Sequence, residues 1–315
     1  MPVFQHINNK LIQIKEKKVD LERDIQKVTE LNLEAIFGLR FISGSINNEF
    51  SVKAQEQDFY IDTLAFDEAQ RSFVIIEYKK DKSFSVIDQG FAYLSAMLNH
   101  KADFVLELNE RLHKNFTKMD IDWEQSRVIF VSPEFTNYQR NAINFKDLPI
   151  FLYEVRIYEN NLIEFNPIKP YRTTESVGSL SKDKTIQEVS REVKSYTFQD
   201  HIQRVDANNK DLFIRLHDEL LNIGEGIKEN VTTNYVGFRF HGTNYTAISY
   251  HSGKIILYFR TKTKPITALK IEKQPQTAWD ITPLWKTYIT NEAEIPQVLE
   301  ITRHVYKEYE SRLKK

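Results

Sequence analysis

Apolar residues in the first half of the chain recur with the spacings of an α/β protein. Leu21, Ile25 and Val28 follow a helical spacing, and Gly38 is a typical helix stop. The predicted helices cover 20–37, 85–99 and 138–145, the strands cover 59–66, 73–78, 102–108 and 127–132, and a hairpin joins 150–158 to 162–165. This order indicates an α/β core with a mixed sheet flanked by helices.

The apolar pattern stops between positions 171 and 185, where small, hydroxyl and charged residues dominate. We therefore expect a first domain over 1–170, a linker over 171–185 and a smaller α+β domain over 186–315. In the second domain, helices are predicted over 186–205, 211–223 and 295–313, and strands over 235–240, 245–250 and 254–260, joined by the turn sequences HGTN and HSGK.

The composition is typical of a folded, globular chain. Of 315 residues, 41% are hydrophobic and 28% are charged, and the formal net charge of −1 argues against an extensive basic surface over the whole protein. The absence of cysteine excludes disulfides, thiolate metal sites and a cysteine nucleophile. No apolar run is long enough to cross a bilayer and the N-terminus has no secretion signal, so we expect a cytoplasmic protein with no membrane association.

Three charged residues stand where core residues of strands are expected. Asp62 interrupts the run YIDTLAF, and Glu77 and Lys79 close the run FVIIEYK. Residues two apart on a strand share a face, so Glu77 and Lys79 project together, and a hairpin would bring Asp62 beside Glu77. Two converging carboxylates form an oxygen-only site that suits Mg²⁺ or Mn²⁺, and a nearby ammonium can orient water or stabilise charge on a phosphate. The arrangement predicts metal-dependent phosphodiester hydrolysis.

A salt bridge is the simpler explanation of the same three residues. Charged strand residues often face solvent and pair across a hairpin. An Asp followed at a distance by Glu-x-Lys is also a short motif with a high false-positive risk. If the triad is only a salt bridge, magnesium and manganese will not stabilise the protein.

The order of these elements resembles the PD-(D/E)XK, or restriction-endonuclease-like, nuclease superfamily. Ile61-Asp62 stands for its Pro-Asp element, with isoleucine in place of proline, and Glu77-Tyr78-Lys79 stands for its Glu-x-Lys element. The resemblance covers about 20–165. It implies that Asp62 and Glu77 bind Mg²⁺ or Mn²⁺ and that Lys79 positions or activates the attacking water.

Two further features are similar to the subset that includes the NucS-like endonucleases. In the sequence VIDQGFAYL, Gln89 and Tyr93 are four residues apart and share a helical face, as in the Gln-x-x-x-Tyr motif of that subset. The resemblance implies that Gln89 contributes to the active site and that Tyr93 contacts nucleic acid. A glutamate of the first helix often helps to bind the metal in this family, and Glu22 matches it best. A solvated helix face explains that glutamate equally well, and the competing acidic residues of the helix are Asp24, Glu30 and Glu34.

Basic residues near these motifs are candidate phosphate contacts. Lys80 and Lys82 follow the Glu-x-Lys element directly, and Arg40 follows the first helix. Cations near a scissile phosphate position the nucleic acid without reading its sequence. An exposed, solvated turn accounts for Lys80 and Lys82 equally well.

The second domain resembles an uncharacterised α+β domain found at the C-terminus of some predicted nucleases, a likeness that implies no established chemistry. Its predicted strands are rich in aromatic residues, which form either one face of a core or a stacking platform for single-stranded nucleic acid. The aromatic residues are Tyr235, Phe238, Phe240, Tyr245, Tyr250, Tyr258 and Phe259. The most basic local stretch, a candidate phosphate-contacting edge, contains Lys254, Arg260, Lys262, Lys264, Lys270 and Lys273.

The residues and the resemblance together predict a metal-dependent endonuclease that acts on nucleic acid, with DNA as the expected substrate. The alternative is a non-catalytic nucleic-acid-binding or assembly module on a nuclease-like fold. Superfamily members often cut duplexes as dimers, so the resemblance also implies a homodimer.

Overall fold

The protein consists of two compact units, which divide between Ser195 and Tyr196. The computed structural model describes residues 2–17, 22–54, 57–80, 84–145, 148–171, 175–275 and 284–313. Both units contain helices and sheets, so the protein belongs to the α/β class. Within the described ranges, no helix combines the length and the apolar character needed to cross a membrane.

The first unit contains eleven β-strands and seven α-helices among its described residues. Its strands are β1 Val3–Ile7, β2 Lys10–Ile14, β3 Glu16–Lys17, β4 Arg40–Gly44, β5 Phe50–Ala54, β6 Gln57–Ile61, β7 Thr63–Asp67, β8 Ser72–Tyr78, β9 Arg127–Ser132, β10 Ile150–Tyr158 and β11 Ile163–Pro167. Its helices are α1 Glu22–Leu31, α2 Leu33–Phe37, α3 Val86–Asn99, α4 Lys101–Leu112, α5 Asn137–Ala142, α6 Val177–Leu180 and α7 Lys184–Glu192.

A mixed sheet forms the centre of the first unit. Its strand order is β11-β10-β9-β8-β7-β4, and β3 also pairs with β10. The β8–β9 and β9–β10 pairs are parallel, whereas β4, β7 and β8 are antiparallel. Alternate residues of β8 point to opposite faces: Val74, Ile76 and Tyr78 pack with Ile25 of α1, whereas the Phe73 ring lies 5.4 Å from that of Phe104 in α4. Helices therefore cover both faces of the sheet.

Most elements predicted for the first unit are confirmed, and the exceptions have local causes. The strand predicted over 102–108 is wrong, since these residues belong to α4. Phe104, Val105 and Leu108 are its buried residues, at a helical spacing that a short apolar run does not distinguish from a strand. The helix predicted over 20–37 is two helices that meet at Asn32. The strand predicted over 59–66 is interrupted at Asp62.

The first unit continues past the linker expected over 171–185. Residues 172–174 lie outside the described part of the chain, but α6 and α7 follow them, and α7 packs against α3. Ile186 and Val189 of α7 are buried. The Nζ atom of Lys101 lies 2.6 Å from Glu192 Oε2. These contacts bring 177–192 into the first unit, although the segment has few apolar residues to signal it.

The second unit is an antiparallel sheet with helices packed on one face. Its elements are α8 Phe198–Ile202, α9 Ala207–Leu221, β12 Lys228–Val231, β13 Val236–Phe240, β14 Thr243–His251, β15 Lys254–Arg260, β16 Glu272–Lys273, β17 Leu284–Ile289 and α10 Ile295–Leu313. The strand order is β12-β13-β14-β15-β17-β16. The predicted three-stranded meander is confirmed as β13–β15, with His241 and Gly242 in its first turn at φ 43° and 79°. Such paired positive values suit a two-residue hairpin turn.

Candidate active site

Asp62 lies at the break between β6 and β7, beside the end of β8. The antiparallel register ends at the pair Thr63 and Ile76, and Asp62 and Glu77 are the next residues beyond that pair. The Asp62 Oδ2 atom accepts a hydrogen bond from the Tyr78 backbone N–H at 3.0 Å. The Asp62 side chain thus accepts the hydrogen bond that a backbone carbonyl would accept in an uninterrupted strand. The hairpin in this way brings Asp62 to the Glu-x-Lys segment.

Glu77 and Lys79 project from the same face of β8, as their spacing predicts. The Lys79 Nζ atom lies 2.7 Å from Glu77 Oε1, and the two side chains are 24% and 5% exposed. Beyond the end of β8, the Lys79 backbone N–H donates to the Val131 carbonyl at 2.9 Å, which fixes the direction of the segment against β9. The site is therefore a largely buried carboxylate whose lysine partner reaches solvent.

The helix α3 presents polar side chains to Glu77. Ser85 caps its first turn by accepting a hydrogen bond from the Asp88 N–H. The Tyr93 hydroxyl hydrogen-bonds to Glu77, and burial together with the negative charges of Glu77 and Asp62 raises the pKa of Tyr93 above its usual value. Tyr93 therefore remains a protonated donor. The Gln89 Oε1 atom is buried and has no hydrogen-bond partner within the described residues, so it adds a polar atom to this helix face.

Replacement of Tyr93 with phenylalanine is expected to lower the free energy of unfolding by about 1.5–3 kcal/mol, because a buried carboxylate loses a hydrogen-bond donor. Denaturant melts of the purified protein measure the change. Tyr60→Phe is the control, since Tyr60 is 60% exposed. Equal stabilities of the two variants would contradict a donor role for Tyr93.

A second buried carboxylate, Glu30 of α1, lies next to the strand break at Asp62. It is 3% exposed and accepts five hydrogen bonds. Its donors are Gln26 Nε2, Ser45 N, Ser45 Oγ, Ile46 N and Thr63 Oγ1. Gln26 Nε2 also donates to the Asp62 carbonyl at 2.8 Å, so α1 holds the break between β6 and β7 through these two residues.

Sequence reasoning considered Glu30 only as a competitor of Glu22 and did not consider Gln26. The signal that could have found the pair is their spacing of four residues, which places both on one face of α1. Because the oxygens of Glu30 already accept five hydrogen bonds, Glu30 is better suited to positioning the site than to binding a cation.

The structure brings some of the predicted residues together and leaves others apart. Asp62, Glu77, Lys79 and Tyr93 converge at the end of β8, and exposed Lys80 follows Lys79 directly in the chain. Gln89 lies one helical turn before Tyr93 on α3, with its Oε1 atom buried.

Arg40 does not join this group, because it pairs with Phe66 at the other end of β7. The side chain of Glu22 and the whole of Lys82 lie outside the described part of the chain, so their predicted roles remain predictions.

The donor set at the end of β8 fits a hard divalent cation that keeps part of its water. The described residues contain no group of three or more His, Cys, Asp or Glu side chains arranged to hold a metal. Asp62 and Glu77 are a pair of oxygen donors, and Mg²⁺ is commonly held by one or two carboxylates with the remaining positions filled by water. The site suits Mg²⁺ or Mn²⁺ in this way, and it does not form a complete protein cage.

These features define an α/β protein with a carboxylate pair and a lysine at one end of a central hairpin. The chain is 39% identical over 240 residues to a Haemophilus influenzae protein described as an uncharacterized protein. The matched residues make up 76% of this chain and 77% of that protein, and the chain belongs to the same family. No family model matches the chain, and no solved structure matches it.

Proposed function

We propose that the first unit is a restriction-endonuclease-like, metal-dependent nuclease that hydrolyses phosphodiester bonds, with DNA as the expected substrate. The observation that carries this proposal is the contact of Asp62 with the end of β8: its Oδ2 atom accepts from the Tyr78 N–H at 3.0 Å, and Lys79 Nζ lies 2.7 Å from the neighbouring Glu77 carboxylate. The order of α1, the β7–β8 hairpin, α3 and β9 also matches the order of elements in the superfamily that the sequence resembles.

Each residue of the site has a separate role in this proposal. Asp62 and Glu77 would hold Mg²⁺ or Mn²⁺, which polarises a phosphoryl oxygen and lowers the pKa of a bound water. Lys79 reaches solvent beside Glu77, so its ammonium group orients the attacking water or stabilises charge on the phosphate. Gln89 and Tyr93 maintain the polar wall opposite Glu77, and Lys80 is placed to contact the substrate backbone.

The test is cleavage of labelled single-stranded, duplex, flapped and mismatched DNA and of RNA, with Mg²⁺ or Mn²⁺ and with EDTA. Wild type and Asp62→Asn are run side by side, with Asp67→Asn as the matched control. Asp67 is a fully buried, ion-paired carboxylate at the other end of β7. Cleavage that needs metal, is lost in Asp62→Asn and remains in Asp67→Asn supports the proposal. Equal cleavage in all three proteins indicates a contaminating nuclease.

The ion pair between Lys79 and Glu77 is the observation that favours the non-catalytic alternative, because a purely structural arrangement contains the same contact. Metal binding separates the two functions without an activity assay. A nuclease site predicts that Mg²⁺ or Mn²⁺ raises the melting temperature of wild type but not of Asp62→Asn. No shift in wild type, with oligonucleotide binding retained, favours a binding module.

A further inference from the structure

The sheet of the second unit has one face packed by helices and one face without them among the described elements. Val236, Phe238, Ile255, Leu257 and Phe259 form a core with residues of α9 and α10. Side chains alternate along a strand, so the intervening residues point to the opposite side. We call that side the open face.

Basic residues dominate the open face. They come from four of its strands and are Lys228, Arg239, Lys254, Arg260 and Lys286. Glu272 is the one carboxylate that the described strands place on this face, and its oxygens lie 2.9 Å from Lys270 Nζ and 3.7 Å from Lys286 Nζ. The strand alternation therefore gathers positive charge on one side of a protein that has almost no net charge.

Acidic residues of the same unit lie on the helix side. Glu229 of β12 pairs with His217 of α9, their Oε2 and Nε2 atoms 2.6 Å apart. An open groove on α9 is lined in part by Asp211, Asp218 and Glu219. The helix side thus carries both signs of charge, since Arg215 also lines this groove and α10 contains Arg303. The open face is predominantly basic by comparison, which fits a polyanionic partner there.

Two partly exposed tyrosines lie among the cations. Tyr258 of β15 is directly opposite Lys286 of β17, and Tyr288 of β17 lies two residues after Lys286. The two tyrosines are therefore diagonal neighbours, about 7–8 Å apart. Lys254 Nζ and Lys286 Nζ lie 5.4 Å and 5.2 Å from the centre of the Tyr288 ring. Aromatic rings within a basic groove stack on bases whose faces are not already covered.

We propose that the open face binds single-stranded nucleic acid, with the cations on the phosphates and Tyr258 and Tyr288 against unstacked bases. A duplex keeps its bases stacked on one another, so it would use the cations but not the tyrosines. The proposal goes beyond the nuclease function, because it concerns the second unit and needs neither metal nor Asp62.

The experiment measures binding of a fluorescein-labelled unstructured DNA oligonucleotide to the full chain, by anisotropy, in EDTA and over a series of salt concentrations. Three proteins are compared with wild type: Lys228→Gln/Lys254→Gln, Tyr258→Leu, and a control, Lys210→Gln/Lys307→Gln. Lys210 and Lys307 are exposed lysines of α9 and α10, on the helix side. Equal melting temperatures establish that all four proteins are folded.

We expect the Lys228/Lys254 double variant to bind more weakly, with the slope of log K against log salt smaller by about 1.4, which corresponds to two lost phosphate contacts. Tyr258→Leu should weaken binding by about fivefold or more without changing that slope. The control should match wild type. Binding weakened equally in the control, or unchanged in both open-face variants, would overturn the proposal.

Two other outcomes assign the open face differently. If wild type binds no oligonucleotide, the proposal is overturned whatever the nuclease assay shows. If the open-face variants change the oligomeric state on gel filtration but not the oligonucleotide affinity, the face is an interface with a second copy of the chain.

Discussion

Replacement of Lys79 with alanine is expected to lower the rate of metal-dependent cleavage by about 10²- to 10⁴-fold while metal binding stays close to that of wild type. The physical reason is that the carboxylates and the lysine at the end of β8 have different roles. In the proposed site, Asp62 and Glu77 would supply oxygen atoms to the cation, whereas the Lys79 ammonium would act on water or phosphate. Single-turnover cleavage and the metal-induced rise in melting temperature measure the two effects separately.

Lys101→Ala is the matched control for this variant. Lys101 is 26% exposed against 24% for Lys79, pairs with a carboxylate at 2.6 Å and lies 5.4 Å from the centre of the Trp123 ring. Lys79 has the same kinds of contact, with Glu77 and with the Phe84 ring at 5.9 Å. If both alanine variants retain full cleavage, Lys79 has no part in the reaction. If both alanine variants lose cleavage to the same extent, the loss is caused by impaired folding.

Replacement of Glu30 with glutamine is expected to lower the free energy of unfolding of the first unit by about 3 kcal/mol or more. The carboxylate is buried and accepts five hydrogen bonds, two of them from the backbone N–H groups of Ser45 and Ile46. An amide of the same shape replaces one acceptor oxygen with a donor, so at least one backbone N–H group faces another donor. Denaturant unfolding monitored by tryptophan fluorescence gives the magnitude.

Glu34→Gln is the control for Glu30, because Glu34 is an exposed residue of α2 that makes none of these contacts. Its substitution should change stability by less than about 0.5 kcal/mol. Since Gln26 links Glu30 to the Asp62 carbonyl, Glu30→Gln should also weaken the response of the melting temperature to Mg²⁺. A stable Glu30→Gln protein with normal metal binding would show that the network does not position Asp62.

Local periodicity was enough to predict the residues at the centre of the candidate site. Glu77 and Lys79 share a face because strand side chains alternate, and Gln89 and Tyr93 share a face because a helix repeats about every 3.6 residues. The hairpin then brings the Asp62 carboxylate to the Tyr78 N–H, next to Glu77 in the chain. The same argument placed α10 at 295–313, where a long apolar stripe leaves little ambiguity.

Other features depended on contacts between distant segments. The apolar run over 102–108 is short enough to form either a strand or a helix, and packing of Phe104 against Phe73 accompanies the helix. Which acidic residue of α1 contacts β7 depends on the helix face that meets this strand: Glu30 accepts a hydrogen bond from Thr63, whereas Asp24 is exposed. Arg40 follows α2 closely in sequence, but the antiparallel pairing of β4 carries it to the far end of β7.

The aromatic strands of the second unit show the same division. Strand periodicity alone predicts that β13–β15 have two kinds of face with different aromatic residues. Which face is core depends on where α9 and α10 pack, and this is not readable from the strands themselves: Phe238, Phe240 and Phe259 face the helices, and Tyr258 lies on the open face. The periodicity of side chains along a helix or strand is a property of neighbouring residues. Which side chains are buried, and which charged side chains come into contact, depends on segments that are far apart in the chain.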